Sequence, residues 1–237
     1  MKIDILTLFP DMFRSVLGES MLKRAQTKGL LKVNVHDLRD WTSDRHRTAD
    51  DKPFGGGPGM VMKIEPIYRA LKELGFLHNT QYSVRNTKHR ARVILLTPQG
   101  KKLQQGEVKR LAKYKKLVLI CGHYEGVDER VRGLVDEEIS IGDYILTCGE
   151  LPALVLIDAM ARMIPGVLGH DKSVNSESFE GGLLEYPQYT RPALFEGMAV
   201  PEVLVGGDHK KIDKWRKSQA LKRTSERRPD LQIRRNK

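Results

Sequence analysis

The chain has 237 residues, 40% apolar and 30% charged, enough to bury a core in one large domain or two modest ones. No stretch approaches the roughly 18 uncharged apolar residues of a helical membrane span, and the two cysteines, Cys121 and Cys148, are too few for a disulfide framework or a cysteine-rich zinc site. The net charge of +11 is unevenly placed: Asp208–Lys237 holds twelve Lys+Arg against four Asp+Glu, so +8 lies in that stretch. A polarised basic surface suits a polyanion, because each neutralised phosphate releases counterions. An isolated basic run is more often a solvated tail, so composition suggests nucleic acid without establishing it.

In chain order, Lys2–Phe9 is an apolar run of strand length, and Met1–Pro10 lacks the basic and small-residue segments of a signal peptide. A reducing, cytoplasmic setting is the expectation. Asp11–Lys28 carries Met12, Phe13, Val16, Leu17, Met21, Leu22 and Ala25 at nearly a 3.6-residue period, which predicts a helix. Asp50–Met60 is a loop with four glycines, Pro66–Leu74 a helix, and Asn79–Arg92 a basic loop carrying Arg85, Lys88, Arg90 and Arg92 that reads as a surface insertion. Arg92–Thr97 and Leu117–Gly122 are further strands flanking a helix at Lys101–Lys113. Such short Ile/Leu/Val runs ending in Pro or Gly are how strands of a buried parallel sheet read, and the alternation with helices argues an α/β domain. Leu151–Ile164 is a strongly apolar helix, with Pro152 in its first turn and Pro165 stopping it. Gly166–Ser178 reads as a linker, Lys210–Arg223 as a basic helix with Ile212 and Trp215 on one face, and Pro229–Lys237 as a frayed end.

The chain has neither a G-x-G-x-x-G fingerprint after its first strand nor a phosphate-cradling Walker loop. Instead, glycine-bearing loops follow three separate apolar runs: Leu96–Gly100, Cys121–Gly126 and Ser140–Leu146. In a parallel sheet such loops gather at the carboxyl ends of the strands, where ligands bind. One loop alone would be an ordinary turn; three together point to a small-molecule pocket.

Gly55-Gly56-Gly57-Pro58-Gly59-Met60, Thr97-Pro98-Gln99-Gly100, Gly122–Arg130, Ser140–Leu146, Ile164–Gly169 and Tyr189-Thr190-Arg191-Pro192 occur in one order along the chain. In these segments the sequence resembles the bacterial tRNA (guanine-N(1)-)-methyltransferase family. The resemblance implies a SPOUT-class α/β domain over 1–168 with a deep trefoil knot. A flexible linker at 169–178 and a small, mainly helical, basic tRNA-binding domain at 179–237 would follow. It also implies a homodimer with each active site at the subunit interface. The implied reaction is S-adenosylmethionine-dependent methylation of N(1) of the guanosine at position 37, immediately 3′ of the anticodon. Mg²⁺ is implicated in the family's reaction, but no ligand cluster in this sequence identifies a protein-bound metal site.

By the same resemblance, the donor pocket takes Leu96, Thr97, Pro98 and Gly100, then Gly122, Tyr124, Glu125 and Gly126. Ser140, Ile141, Gly142, Asp143, Tyr144, Ile145 and Leu146 follow, with Cys148 and Gly149. Ile141, Ile145 and Leu146 equally suit plain core packing. N(1) of guanine carries a proton at neutral pH, so its methylation needs a base for that proton and a cation or donor for the charge appearing on O6. The family uses an aspartate in the linker and an arginine at the end of the long apolar helix. Arg162 matches the arginine, and Glu177 stands where the family's Asp-Ser-Phe reads Glu177-Ser178-Phe179 here; Asp171 is the rival base. A second departure is Cys148, where the family has a glycine before Gly149-Glu150; a structural, hydrophobic role is its simplest reading. His46, Arg47, Asp51, Gly57, Pro58 and Gly59 match a region near the guanine and the anticodon arm. Lys210, Lys214, Arg216 and Lys217 are candidate phosphate contacts. The rival from another class is an RNA-binding protein of the same fold that has lost the chemistry.

Overall fold

Ile3, Ile5 and Leu6 of the first strand are wholly buried, as a strand covered on both faces requires. The computed structural model describes residues 1–77, 91–168 and 177–231, and the chain divides into two units, Met1–Gly169 and His170–Lys237. The first unit runs β1 (Lys2–Thr7), α1 (Arg14–Leu17), α2 (Ser20–Thr27), β2 (Lys32–Asp37), β3 (Asp50–Asp51), β4 (Val61–Met62), α3 (Ile64–Glu73), β5 (Ala91–Lys102), α4 (Gln105–Leu111), β6 (Lys116–Cys121), β7 (Glu137–Ser140) and α5 (Glu150–Ala161). Five strands form one sheet in the order β2-β1-β6-β5-β7, every neighbouring pair parallel. Residues of α2, α4 and α5 share a buried cluster with Ile3, Ile5, Leu117 and Leu119. Residues of α3 join Leu6, Val118 and Ile120 in a second cluster. Alternate residues of one strand thus feed opposite faces, which gives the expected α/β layering.

Two element boundaries correct the sequence reading. Asp11–Lys28 is not one helix. A 3₁₀ turn at Pro10–Phe13 leads into α1, and the chain breaks at Gly18–Glu19, where Glu19 is extended (φ −127°, ψ 162°) before α2 begins; glycine is a poor helix residue and gives way there. Lys101–Lys113 is not helical from its start, because Lys101 and Lys102 continue β5 beside Ile139 and Ser140. Helix α4 begins only at Gln105. The basic stretch Asn79–Arg92 falls outside the described residues except for its last two, Ala91 and Arg92. Arg92 belongs to β5 and donates to Tyr114 Oη (3.0 Å) and Asp136 (3.0 Å).

Glycine placement in β5 matters for function. Leu96 and Lys101 both align with Ile139 of β7, so Thr97–Gly100 is a four-residue excursion from the strand. A Cβ on Gly100 would overlap the backbone of Glu138 and Ile139, which is how the strand closes again behind the excursion.

In the second unit, a short hairpin of β8 (Leu194–Phe195) and β9 (Met198–Ala199) precedes α6 (Glu202–Val205) and α7 (His209–Arg227). Asp208 caps α7 by accepting from Lys211 N (3.1 Å). Thr224, fully buried in α7, donates to Ala220 O (2.7 Å) and accepts from Leu184 N (2.8 Å), tying the incoming chain to the helix. Leu231 is buried, so Pro229–Leu231 belong to the packed structure, and the rest of the segment read as a frayed end lies outside the described residues. Among the described residues no helix is long and apolar enough to cross a membrane.

Candidate functional site

The excursion from β5, the loop after β6 and the loop between β7 and α5 meet at the carboxyl ends of the strands. Together they line a cleft of about 320 Å³, within the size range of small-molecule sites. Its walls include Leu96, Thr97 and Pro98 from the first loop, and Gly122, Tyr124, Glu125 and Gly126 from the second. Ser140, Ile141, Gly142, Tyr144, Ile145, Leu146, Cys148 and Gly149 come from the third. Gly100 and Asp143 are not in the lining: Gly100 packs on the β7 backbone, and Asp143 turns outward to pair with Lys102.

Backbone chemistry holds the loops. Gly149 N donates to Gly122 O at 2.8 Å, and His123 and Cys148 face each other as an antiparallel bridge. A Cβ on Gly149 would sit 2.7 Å from Cys121 Cα and Gly122 N, so only glycine permits this approach. The Ser140 hydroxyl both donates to Gly142 O (2.9 Å) and accepts from Gly142 N (3.2 Å), fixing the third loop. Ile145 is 80% exposed and Leu146 36%, so neither packs in the core of this chain. Of the three, only the partly buried Ile141 leaves that reading open.

Sequence patterning overlooked several lining residues. Arg132 donates to Gln99 and pairs with Glu129 (3.1 Å) and Glu138 (3.5 Å), so a charged network borders the cleft. Its source is Glu129–Leu134, a 3₁₀ segment without apolar periodicity and therefore without a signal. His123 lies between Phe9 and Tyr124, with ring centroids 4.7 and 4.5 Å away. Burial pushes the Cys148 thiol above its ordinary range, as does the neighbouring Glu150 carboxylate.

The glycine loop docks against this cleft. Glu125 N donates to Met60 O (3.1 Å), Met62 N to Gly126 O (2.9 Å), and a Cβ on Gly59 would overlap the Glu125 side chain. Gly57 (φ +120°) and Pro58 are exposed. So is Asp51, whose carboxylate accepts from Lys52 N at 2.7 Å. The preceding turn is built by Asp44, which accepts from His46 N (3.1 Å) and from Thr48 N and Oγ1 (3.0 and 2.7 Å). Those bonds, the Thr48 hydroxyl foremost, hold its carboxyl below the usual range. His46 is exposed; Arg47 is exposed at φ +54° and pairs with Asp40.

A family model described as tRNA (Guanine-1)-methyltransferase TrmD matches residues 1–234. The chain belongs to this family. It is 55% identical over 231 residues to the tRNA (guanine-N(1)-)-methyltransferase of Endomicrobium trichonymphae, covering 98% of this chain and 99% of the relative. It is 56% identical to the protein of that name from Carboxydothermus hydrogenoformans, covering 98% and 87% of the two chains. For that from Moorella thermoacetica the identity is 53%, covering 100% and 92%. The fold is therefore that of a SPOUT methyltransferase, and the family's methyl donor is S-adenosylmethionine.

The remaining sequence-predicted residues are not among those lining the cleft. Arg162 is the partly buried C-cap of α5. Glu177, partly buried, and Ser178, whose Oγ accepts from Glu185 N (3.1 Å), lie in the second unit; Asp171 falls outside the described residues. Lys210, Lys214 and Lys217 are exposed on α7, whereas Arg216 stacks its guanidinium 4.8 Å above the Tyr186 ring.

Proposed function

We propose that this chain transfers the methyl group of S-adenosylmethionine to N(1) of the guanosine at position 37 of tRNA, with the donor in the three-loop cleft. The observation that carries this is the docking of the glycine loop on Glu125. A segment matched to the RNA-facing region of the family touches the wall of a donor-sized cleft, in a chain that matches the family over residues 1–234. The close approach of Gly149 to Cys121 and the glycine-flanked loop Gly122–Gly126 in the cleft wall suit a flat adenosine and a bent methionine chain. The donor supplies an activated methyl on a sulfonium. Transfer forms the N(1)–carbon bond as the sulfur–carbon bond breaks, the electron pair staying on sulfur.

In this reading Glu177 takes the N(1) proton and Arg162 stabilises the charge on O6. The loops hold donor and base in line, and the target guanine leaves its stack to enter. Lys210, Lys214 and Lys217 contact phosphates of the anticodon arm. Arg216, already stacked on Tyr186, serves mainly to order α7. The trefoil knot and the linker at 169–178 belong to the same reading. A homodimer belongs to it too, and the exposed face of α5 supports it. The helix is mostly apolar, yet Leu151 and Val155, on one face with the exposed Asp158, are 45% and 48% exposed, as a face covered by a second copy would be. The decisive assay is methyl transfer from labelled donor to an unmodified tRNA transcript. Glu177→Gln should lose about 10²–10⁴-fold in rate and Glu177→Asp far less. Near-wild-type transfer by Glu177→Gln would end the assignment of the base. No transfer by the wild type, with donor and tRNA still bound, would make the chain a binding protein.

A further inference from the structure

Glu150, the first residue of α5, is completely buried, yet among the described residues no Lys or Arg pairs with it. One carboxylate oxygen accepts from the Thr7 hydroxyl at 2.5 Å, and the other, Oε2, has no hydrogen-bond partner. A buried charge is costly unless paired. The helix N-terminus and one hydroxyl are modest compensation. Beside it stand two more potential ligands, the Cys148 thiol, which hydrogen-bonds the Glu150 carboxylate and Thr147, and His123 Nδ1, which is buried without a partner. The imidazole nitrogen, thiol sulfur and carboxylate oxygen all lie within 4.8 Å of one another.

We infer that His123, Cys148 and Glu150 form a binding site for a thiophilic divalent transition-metal ion, Zn²⁺ being the best fit, in the wall of the cleft. One nitrogen, one sulfur and one oxygen ligand make a three-protein-ligand set with a fourth position open. Mg²⁺ does not fit, because it demands oxygen ligands in an octahedron. Tetrahedral zinc bonds of roughly 2.0–2.3 Å place ligand atoms about 3.5 Å apart. Side-chain rotations of about an ångström therefore close the site. The frame for closure is rigid: His123 and Cys148 are a bridged backbone pair, and the Gly149–Gly122 hydrogen bond lies between them and Glu150. Binding deprotonates Cys148, releasing its proton to solvent. The thiolate and carboxylate then neutralise the ion's two charges, which supplies the counter-charge Glu150 lacks. The site rests on these three side chains alone and is independent of the methyl-transfer reading.

The test uses the full chain stripped with chelator and read without any methyl-transfer measurement. Co²⁺ titration should give one ion per chain with a thiolate-to-cobalt charge-transfer band, displaced by Zn²⁺. Cys148→Ala and Glu150→Gln should weaken binding by more than the roughly 10–100-fold typical of losing an outer-shell partner. A second arm needs no variant. Alkylation of Cys148, mapped by mass spectrometry with the fully buried Cys121 as internal reference, should be suppressed by Zn²⁺ and restored by chelator. The inference is overturned by absent stoichiometric binding, by wild-type affinity in Cys148→Ala, or by Cys148 alkylation indifferent to Zn²⁺.

Discussion

Replacing Gly149 by alanine tests whether the cleft depends on the close approach of its loops. Gly149 has an ordinary backbone conformation (φ −81°, ψ −7°), so alanine brings no dihedral strain and acts through its methyl group alone. That methyl would lie 2.7 Å from Cys121 Cα and Gly122 N, both backbone atoms at the end of β6. Ordinary van der Waals contact is about 3.5 Å, so the start of α5 and the second loop must part by nearly an ångström. Overpacking of this kind costs about 1–3 kcal/mol. Losing the 2.8 Å Gly149–Gly122 hydrogen bond costs roughly 0.5–1.5 kcal/mol more. Distortion on that scale should lower donor affinity at least about tenfold, measured by isothermal titration, and reduce the melting temperature by several degrees. Gly106→Ala is the matched control. It sits in α4 with nothing within 4 Å of its added Cβ, and should gain about 0.5–1 kcal/mol from helix propensity without changing donor binding. If Gly149→Ala binds donor and melts like the wild type, the loops do not need this contact and the reasoning fails.

The acid response should depend on Asp4. Burial alone would raise its carboxyl, but hydrogen bonds from His36, Asn34 and Lys2 outweigh burial and hold it at about 2, below its ordinary 3.8. A lowered folded-state value means stability that is complete above about pH 4 and lost as pH falls towards 2, about 2 kcal/mol in all. In urea titrations the gap between wild type and Asp4→Asn should therefore narrow from pH 6 to pH 3, and a constant gap would refute the linkage. Phe54 is fully exposed beside the glycine loop; if it stacks on an RNA base, Phe54→Ala should weaken tRNA binding by about 1–3 kcal/mol in filter binding with an unchanged melt. Val155→Asp should leave the fold intact, because the side chain is half exposed. It should yield monomers in sedimentation velocity, and an unchanged dimer would place the interface elsewhere.

The β1, β5 and β6 strands were legible because each carries an uninterrupted Ile/Leu/Val run, the signature of burial on both faces. β7 was not, since Glu137-Glu138-Ile139-Ser140 reads as polar. Its carboxylates are carried by Arg110 and Arg132 from other elements, a compensation only tertiary structure supplies. β2 was missed for a related reason. It is an edge strand in which Asn34 and His36 point at the buried Asp4, so its polar residues serve the core. The three cleft loops were legible from their glycines and their place after strands. Arg132 had no local signal and reaches the cleft through the 3₁₀ segment Glu129–Leu134.

The cleft and the glycine loop are coupled by the way β5 is interrupted and β6 is overrun. Because Leu96 and Lys101 share one partner on β7, the intervening residues leave the sheet on the side where β6 ends. The second loop cannot close over that space by itself. It is held from one side by Gly149 and from the other by Met60 and Met62, which exchange backbone hydrogen bonds with Glu125, Gly126 and Asp128. Glu125 consequently touches both partners, one flank lining the cleft and the other filling the space that only a glycine at position 59 leaves open. Movement of the exposed glycine loop must therefore be felt in the donor wall through Glu125. If RNA binds at residues 55–60 as proposed, its binding energy has a direct mechanical route to the geometry of the cleft.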